Sequence, residues 1–507
     1  MRDTFTVSIQ QLDPVLGDLP GNCAMAEAAC RSARADLVVF PELFLSGAPL
    51  WDLARRHGFA EQAMTEVEAL AAALADGPAV AIGTPWLEEG RLTNACAILQ
   101  NGRVDKVRHK VEVDAGPFDE SRAFASADMP GPVDIAGVRI GLPIGEDLLG
   151  ADVVECLAET GAEILIAPVA SPYTPYEADR RLNIAVARVV ESELPLVVVN
   201  AVGGRDEYVF DGASFALGAD RRLTHQLPAF TSTSARLVFR RSYDGWTLEP
   251  GERIALPDGE AAIWSASVLG LRDLVRLKRA DRIVLALEDD VESAVAAAIS
   301  VDAVGADRVE AVAFDETGVA APFGLACRRL ALPSGDFGAA DGAVLRRGMA
   351  DAVLEAVGTG GLIVRSASSS TVALGAGPVG RGVNPMAELC RSEVKALARW
   401  RNATRPDGAQ GPEGPVVAAA LIEAPCGLEG APANDDLLDR ILTELLDGDA
   451  SVDELVKDGY EARSVRWVAE RVADGEVMRR RSTPRLRLAP RPAGDRRYPI
   501  TNRYRDA

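Results

Sequence analysis

The chain has 507 residues, of which 48% are hydrophobic, and it carries a formal net charge of −21. This length predicts two or three domains, each able to bury a core, whereas the acidic charge argues against general nucleic-acid binding because phosphates would be repelled. The seven cysteines form no CxxC or CxH cluster, which argues against a zinc site or a disulfide framework and indicates a reducing compartment.

The first half of the chain alternates short apolar runs with alanine-rich amphipathic stretches. The runs have the length and composition of strands: Phe5–Ile9, Leu37–Phe40, Ala79–Ile82, Ala95–Leu99, Val138–Ile144, Ile164–Ala167, Leu196–Val199 and Ala235–Arg241. The stretches between them predict helices at Ala24–Ala35, Ala60–Ala75, Val153–Thr160 and Ala178–Ser192. This alternation predicts a layered α/β domain over residues 1–241, followed by a linker at 242–261 that is rich in glycine, proline and charge.

A second α/β pattern occupies residues 262–507. Its predicted strands are Ile283–Leu287, Arg308–Ala313 and Gly361–Val364. Its predicted helices are Ala266–Leu277, Val291–Val304, Val344–Val357 and Ser392–Arg401, with further helices within Leu437–Val472. The glycine- and proline-rich stretch Arg405–Pro415 predicts a mobile loop. The basic tail Arg479–Ala507 predicts a segment that wraps the surface through apolar anchors, namely Tyr498, Ile500 and Tyr504.

Three segments of the first domain follow strand-like runs, the second of them after Gly102–Arg108. They are Phe40-Pro41-Glu42-Leu43, His109-Lys110 and the turn Gly145-Glu146-Asp147 after Val138–Ile144. Side chains at the ends of several strands can converge on one pocket. A carboxylate and an ammonium placed in this way can hydrolyse an amide together with a thiol: the carboxylate takes the thiol proton, the ammonium stabilises the oxyanion and the thiolate attacks the amide carbon.

These segments resemble the nitrilase superfamily and, more closely, the glutaminase domain of glutamine-dependent NAD synthetases. Further stretches fit the same family: Gln11–Gly21, Phe118-Asp119-Glu120, Arg181–Val202 and Gly203–Phe215. The resemblance implies an αββα sandwich with a Glu-Lys-Cys triad, in which Glu42 is the general base and Lys110 stabilises the oxyanion. The position of the nucleophilic cysteine is Gly145. Glycine has no side chain and cannot form a thioester, so we expect the glutaminase reaction to be absent and Glu42 and Lys110 to remain as a buried ion pair.

The resemblance extends over the second half and implies a Rossmann-like ATP pyrophosphatase domain of the adenine nucleotide α-hydrolase type. Family members have a Ser-Gly-Gly-x-Asp-Ser phosphate loop between a strand and a helix, where backbone N–H groups wrap the pyrophosphate. Here the corresponding residues are Glu288, Asp289, Asp290, Val291, Glu292 and Ser293. Four carboxylates would repel a triphosphate and cap the helix instead, so we expect this degenerate loop not to bind ATP. A Mg²⁺ ion bridging carboxylates and phosphates would be the exception.

Other family sites differ as well. The family's Thr-Gly-Asn-Lys-Ser-Glu segment corresponds to Arg365–Thr371, and its acidic Tyr-Gly-Asp turn corresponds to Leu374-Gly375-Ala376-Gly377 without the carboxylate. The scaffold segments Val383-Asn384-Pro385, Val394–Asn402 and Asp495–Asp506 fit the family well. The changes therefore fall on the segments that handle phosphate or amide groups.

Three functions follow from this pattern. The leading hypothesis is a non-catalytic member, or pseudoenzyme, with an assembly, structural or regulatory role and with neither a cofactor nor a metal. The first alternative is an active synthetase that converts deamido-NAD to NAD with ATP, Mg²⁺ and either ammonia or glutamine. The second is a sensor that binds an amide or amino acid in the residual amidase pocket.

The family resemblance also implies self-association. We expect a homo-oligomer of octamer-like size, with mixed assembly with an active NAD synthetase as an extension. The N-terminus lacks the pattern of a signal peptide, and no apolar stretch approaches the length of a bilayer span. We therefore expect a cytoplasmic protein whose partners include neither nucleic acid nor membrane.

Overall fold

The computed structural model describes residues 3–56, 58–114, 117–243, 245–313, 318–330, 349, 352–356 and 358–489. It forms two compact units, one comprising Met1–Arg205 with Phe210–Pro257, the other Asp206–Val209 with Asp258–Ala507. Among the described residues, no helix combines the length and apolar character needed to cross a bilayer.

Two sheets build the first unit. The larger has the order β15-β14-β1-β2-β3-β4-β5, with bounds Gly245–Leu248, Thr233–Ser242, Thr4–Gln11, Leu37–Val39, Ala79–Glu88, Arg91–Gln100 and Arg103–His109. The smaller has the order β13-β12-β9-β8-β7-β6, with bounds Leu223–Gln226, Phe215–Leu217, Leu196–Asn200, Ile164–Val169, Val138–Gly141 and Val133–Ile135. A separate two-stranded ribbon pairs β10 (Val202–Arg205) with β11 (Tyr208–Asp211).

The two sheets of the first unit pack face to face. One buried cluster contains Ile9 and Val39 from the larger sheet together with Ile140, Ile166 and Val199 from the smaller one. Helices cover the outer faces: α1 (Leu19–Ser32) and α2 (Phe59–Ala73) on the larger sheet, α3 (Asp152–Glu159) and α4 (Glu177–Ser192) on the smaller. The αββα sandwich expected from the sequence is confirmed.

The second unit contains a parallel sheet. Its order is β18-β17-β16-β19, with bounds Ala326–Arg329, Val309–Ala313, Ile283–Ala286 and Leu362–Val364, and every pairing in it is parallel. Helix α6 (Val291–Val304) follows β16 and is buried over its whole length. It packs against α5 (Gly259–Leu277) and α8 (Arg391–Ala403). Further helices of the described residues are α7 (Ser369–Ala373), α9 (Ala419–Glu423), α10 (Asp435–Leu446), α11 (Val452–Lys457), α12 (Ala462–Asp474) and α13 (Glu476–Arg479).

The structure departs from the sequence prediction mainly at short strands. Strand β15 lies inside the predicted linker and pairs with β14. Of the predicted helix Val344–Val357, residues 349 and 352–356 are helical, and the other residues lie outside the described ones. The tail anchors Tyr498, Ile500 and Tyr504 also lie outside the described residues.

Candidate functional site

The turn after β2 carries Glu42 into the interior of the first unit, where its side chain is buried. This turn lies close against Gly83 of β3. A Cβ atom on Gly83 would lie 2.3 Å from the backbone nitrogen of Leu43 and 2.5 Å from the carbonyl oxygen of Pro41. The absence of a side chain at Gly83 therefore lets the Glu42 turn approach the sheet.

The ammonium of Lys110, the residue after β5, lies among three carboxylates. Its Nζ is 2.8 Å from Oε1 of Glu42 and 2.7 Å from Oε2 of Glu120, and it also contacts Oε2 of Glu146. The side chains of Lys110 and Glu42 are 1% and 4% exposed, so the cluster is shielded from water. The strand-end positions of Glu42 and Lys110 predicted a common pocket, and the family resemblance placed Gly145 beside them. The structure brings these three residues together.

Two further groups fix the orientation of Glu42. The side-chain amide of Asn94 donates to Oε1 of Glu42 at 2.7 Å, and the backbone N–H of Ala170 donates to Oε2 at 2.9 Å. The same amide of Asn94 reaches Glu120 at 3.2 Å. Glu42, Glu120 and Glu146 lie close enough together to hold a metal ion, but the ammonium of Lys110 already contacts all three.

Burial dominates the electrostatics of this cluster. Desolvation raises the pKa of Glu42 to about 8, against the opposing attraction of Lys110, and the neighbouring carboxylates raise it further. Burial alone would lower the pKa of Lys110, but Glu42, Glu146 and Glu120 together raise it well above its usual value. Burial likewise raises the pKa of Glu120. The cluster therefore holds a protonated lysine at neutral pH, and burial makes Glu42 harder to ionise than a free carboxyl group.

The raised pKa of Glu42 predicts a pH-dependent stability. Between its unfolded pKa of about 4.3 and about 8 in the fold, the folded state binds more protons than the unfolded state, so stability falls as pH rises. Removing the titrating group with Glu42→Gln should flatten part of that fall. We expect urea unfolding at pH 5 and pH 8 to show a smaller loss for the variant than for the wild type. Parallel pH profiles of the two proteins would contradict this assignment.

Gly145 begins a short helical turn, Gly145–Leu148, at the edge of the cluster. A Cβ atom on Gly145 would lie 2.6 Å from each carboxylate oxygen of Glu42. Glu42 therefore occupies the space that the first atom of a cysteine side chain would need. The backbone φ of Gly145 is +53°, a conformation that a residue with a side chain adopts only with strain.

The first unit also contains Cys156 and Cys96. Cys156 lies on α3, where its Sγ donates to the carbonyl oxygen of Pro130 at 3.4 Å. Cys96 is buried within β4, and burial raises its pKa to about 12. Since the nucleophile in amide hydrolysis is a thiolate, a cysteine held as a neutral thiol would not attack.

Asp147 holds the Gly145 turn in place. Its Oδ1 accepts from the backbone N–H groups of Val111 and Glu112 at 3.0 and 2.8 Å, and its Oδ2 accepts from Ile144 at 3.0 Å. This carboxylate ties the turn to the segment that directly follows Lys110. These three hydrogen bonds fix the backbone of the turn that begins at Gly145.

The predicted phosphate loop of the second unit lies between β16 and α6. Asp290 is the N-cap of α6, and its Oδ1 accepts from the backbone N–H of Ser293 at 2.6 Å. Glu292 is buried, and its Oε1 accepts from the backbone N–H of Ser368 at 3.1 Å and from the hydroxyl of Thr371 at 2.8 Å. Protein carboxylates therefore satisfy donors of the kind that bind phosphate at a helix N-terminus.

Three of the four carboxylates of this loop, those of Glu288, Asp290 and Glu292, line a common cavity. Glu288 and Asp289 are exposed, and Asp289 accepts from the backbone N–H of Gly318 at 3.2 Å. Asp290 and Glu292 point inward, and burial raises the pKa of both carboxyl groups. Arg391 lies 3.6 Å from Glu292 and partly balances its charge.

A cavity of about 60 Å³ adjoins the loop and is lined by Glu288, Asp290, Glu292, Ser293, Arg365 and Ser366, among others. Such a volume holds only a few water molecules. The inward carboxylates would also oppose a polyphosphate. The loop thus presents carboxylates to this cavity, an arrangement that disfavours a polyphosphate.

Several residues of these sites were not assigned a role from the sequence. Glu120 and Glu146 lie in segments that fit the family, but nothing in the sequence indicated that they lie near Lys110. Asn94 gave one signal, a polar residue within an apolar strand, and it is completely buried. Arg391 gave none, because it is the first residue of α8 and meets Glu292 only through the tertiary fold.

Known proteins resemble the chain over part or all of its length. Residues 6–239 match the carbon-nitrogen hydrolase family model. The glutamine-dependent NAD(+) synthetase of Rhodobacter capsulatus is 34% identical, and the match covers 100% of both chains. The enzyme of the same name from Xanthomonas campestris pv. campestris is 30% identical over 99% of this chain and 98% of its own.

Solved structures agree in fold. A glutamine-dependent NAD+ synthetase from Acinetobacter baumannii, solved in complex with ADP, superposes with a TM-score of 0.75 at 24% identity, covering 99% of this chain and 100% of its own. One from Cytophaga hutchinsonii gives a TM-score of 0.76 at 17% identity over 99% of this chain and 98% of its own. Both units of the chain thus have counterparts in a single known architecture.

Proposed function

The chain belongs to the glutamine-dependent NAD(+) synthetase family, and from that membership we propose that it is a non-catalytic member with an assembly, structural or regulatory role. The observation that carries the proposal is the geometry at Gly145. The position lacks a side chain, and Glu42 carboxylate oxygens lie 2.6 Å from where a Cβ atom would be. A family member without this thiolate cannot form the covalent intermediate of glutamine hydrolysis.

The geometry at Gly145 concerns glutamine hydrolysis alone. The proposal that the second unit is also inactive therefore needs a separate observation. That observation is the loop before α6, where Asp290 and Glu292 satisfy N–H and hydroxyl donors within the protein. Bringing a phosphate beside a carboxylate costs on the order of 4 kcal/mol for two unit charges 4 Å apart at an effective dielectric near 20. We infer that ATP would have to displace bonds already made and overcome this repulsion.

ATP binding measured by calorimetry tests the proposal. With Mg²⁺ present, we expect no saturable heat for this chain, whereas the Rhodobacter capsulatus synthetase provides a positive control in the same buffer. Saturable binding in the micromolar to millimolar range would contradict the proposal, because it would mean that the acidic loop still admits a triphosphate.

The second candidate is an active synthetase that uses ATP, Mg²⁺ and ammonia to convert deamido-NAD to NAD. Full-length similarity to proteins named glutamine-dependent NAD(+) synthetases supports it directly. Ammonia would bypass the missing thiolate, and Mg²⁺ bound by the loop carboxylates could offset their charge. The calorimetric result separates the two candidates, since only this one requires ATP to bind.

The proposed role also calls for a partner. We propose self-association into a symmetric homo-oligomer, with co-assembly with an active NAD synthetase as its regulatory form. Native mass measurements of the protein alone and mixed with such an enzyme address this point. A monomer in both samples would contradict the assembly role.

A further inference from the structure

A cavity of about 300 Å³ lies in the first unit beside the ends of β3, β4 and β5. Its volume falls at the lower end of the range typical of small-molecule sites. The lining carries both signs of charge and comprises Glu88, Glu89, Arg91, Thr93, Arg108, His109, Ala127 and Asp128. It is separate from the Lys110 cluster, which consists of Lys110 with Glu42, Glu120 and Glu146. None of these carboxylates lines the cavity.

The cavity and the Lys110 cluster involve neighbouring residues of the same two strands. Thr93 and His109 line the cavity, whereas the residues that follow them, Asn94 and Lys110, point into the carboxylate cluster. Successive side chains of a strand face opposite sides. A ligand beside Thr93 and His109 would therefore contact the face opposite Lys110, whereas Arg108, which pairs with Cys96, extends from the Lys110 face of the edge strand β5.

His109 is the fixed part of the cavity wall. Its Nδ1 is 2.8 Å from the hydroxyl of Thr93 and its Nε2 is 3.2 Å from Oε2 of Glu88. The carboxylate of Glu88 thus already has the ring of His109 as a partner. Burial lowers the pKa of His109, which keeps the ring neutral near pH 7 and leaves the arginines as the cations of the cavity.

The other charged side chains of the cavity wall form fewer hydrogen bonds with described residues. Within the described part of the chain, Nη2 of Arg108 is buried and has no hydrogen-bond acceptor. The guanidinium of Arg91 donates from Nη2 to the carbonyl oxygen of Ser126 at 2.7 Å. Glu89 and Asp128 are exposed carboxylates at the same cavity. Guanidinium groups bind carboxylates through paired charge-assisted hydrogen bonds, and carboxylates bind ammonium groups.

We propose that this cavity binds a small zwitterion of the α-amino acid class, with its carboxylate on Arg91 and Arg108 and its ammonium on Glu89 and Asp128. A ligand with both charges satisfies both sets of groups, whereas a simple anion would face the two carboxylates. The site is independent of glutamine hydrolysis, since it shares no side chain with the Lys110 cluster.

Calorimetry with glycine, glutamine, acetate and ethylammonium tests the proposal on the full chain. We expect saturable binding of the amino acids and none of the two single-charge probes. Asp128→Asn and Arg91→Gln, both at exposed positions, should each weaken amino-acid binding by roughly tenfold to a hundredfold through loss of a charge-assisted hydrogen bond. Arg103→Gln changes an exposed arginine of β5 outside the cavity and should leave the affinity unchanged.

Each other outcome overturns the assignment. No saturable amino-acid binding removes the site, and acetate binding as tightly as glycine makes it an anion site. Amino-acid binding that is equal in the wild type and both cavity variants places the ligand elsewhere, such as in the Lys110 cluster. A histidine-selective NMR spectrum locates the ligand independently, because the ring signals of His109 should shift on binding and be missing from His109→Gln.

Discussion

Replacing Lys110 with methionine should lower the free energy of unfolding by about 3–5 kcal/mol, the usual cost of removing one partner of a buried ion pair. The ammonium is 1% exposed and contacts Glu42, Glu120 and Glu146. Without it, the fold must hold these carboxylates together with no counter-charge. Urea unfolding of the purified variant and of the wild type at one pH measures the difference.

The loss should also grow with pH. Without Lys110, the carboxyl groups keep their protons more tightly in the fold than in the unfolded chain, so stability falls more steeply as pH rises above about 4.3. Arg103→Met is a matched control on the same strand, since Arg103 is 72% exposed and pairs with Asp105; it should cost at most about 1 kcal/mol. A loss of unfolding free energy for Lys110→Met no larger than that for this control would contradict the buried contacts of Lys110 with the three carboxylates.

Replacing Arg401 with methionine should destabilise the second unit by a similar amount, about 3–5 kcal/mol. Its guanidinium binds Asp302 through two hydrogen bonds, Nε to Oδ2 at 2.7 Å and Nη2 to Oδ1 at 3.0 Å, and both side chains are fully buried. Trp264 donates to the same carboxylate at 3.0 Å and would be its remaining donor from a side chain. Chemical denaturation monitored by tryptophan fluorescence reports the change.

The same helix supplies the control for this prediction. Arg399 pairs with Glu423 at 2.9 Å, but the two side chains are 53% and 71% exposed, so Arg399→Met should lower the stability far less than Arg401→Met does. The double variant Asp302→Leu/Arg401→Met should recover part of the stability lost in Arg401→Met, because an apolar pair leaves no uncompensated charge. A double variant less stable than the single one would contradict this explanation.

Strong periodicity made the principal elements predictable from the sequence. The bounds of α6 agree with the predicted Val291–Val304, because its apolar run is long and is preceded by acidic capping residues. Glu42 and Lys110 could be placed at strand ends for the same reason. Their convergence on Gly145 followed from the resemblance to a known family and not from spacing.

The elements that were not predicted are short and depend on partners far along the chain. Strand β15 has four residues, Gly245–Leu248, and forms only because β14 lies beside it with Leu248 opposite Phe239. The direction of the loop carboxylates could not be predicted either. Glu292 turns inward to Ser368 and Thr371, which lie more than seventy residues later in the chain.

The most direct test of the non-catalytic proposal is NAD formation by the purified full chain supplied with deamido-NAD, ATP and Mg²⁺. Parallel reactions contain glutamine or ammonia, and the Rhodobacter capsulatus synthetase provides the positive control. The account predicts no NAD above background with either nitrogen source. Accumulation of NAD with ammonia would contradict it and establish the chain as a working synthetase that has lost only its glutaminase step.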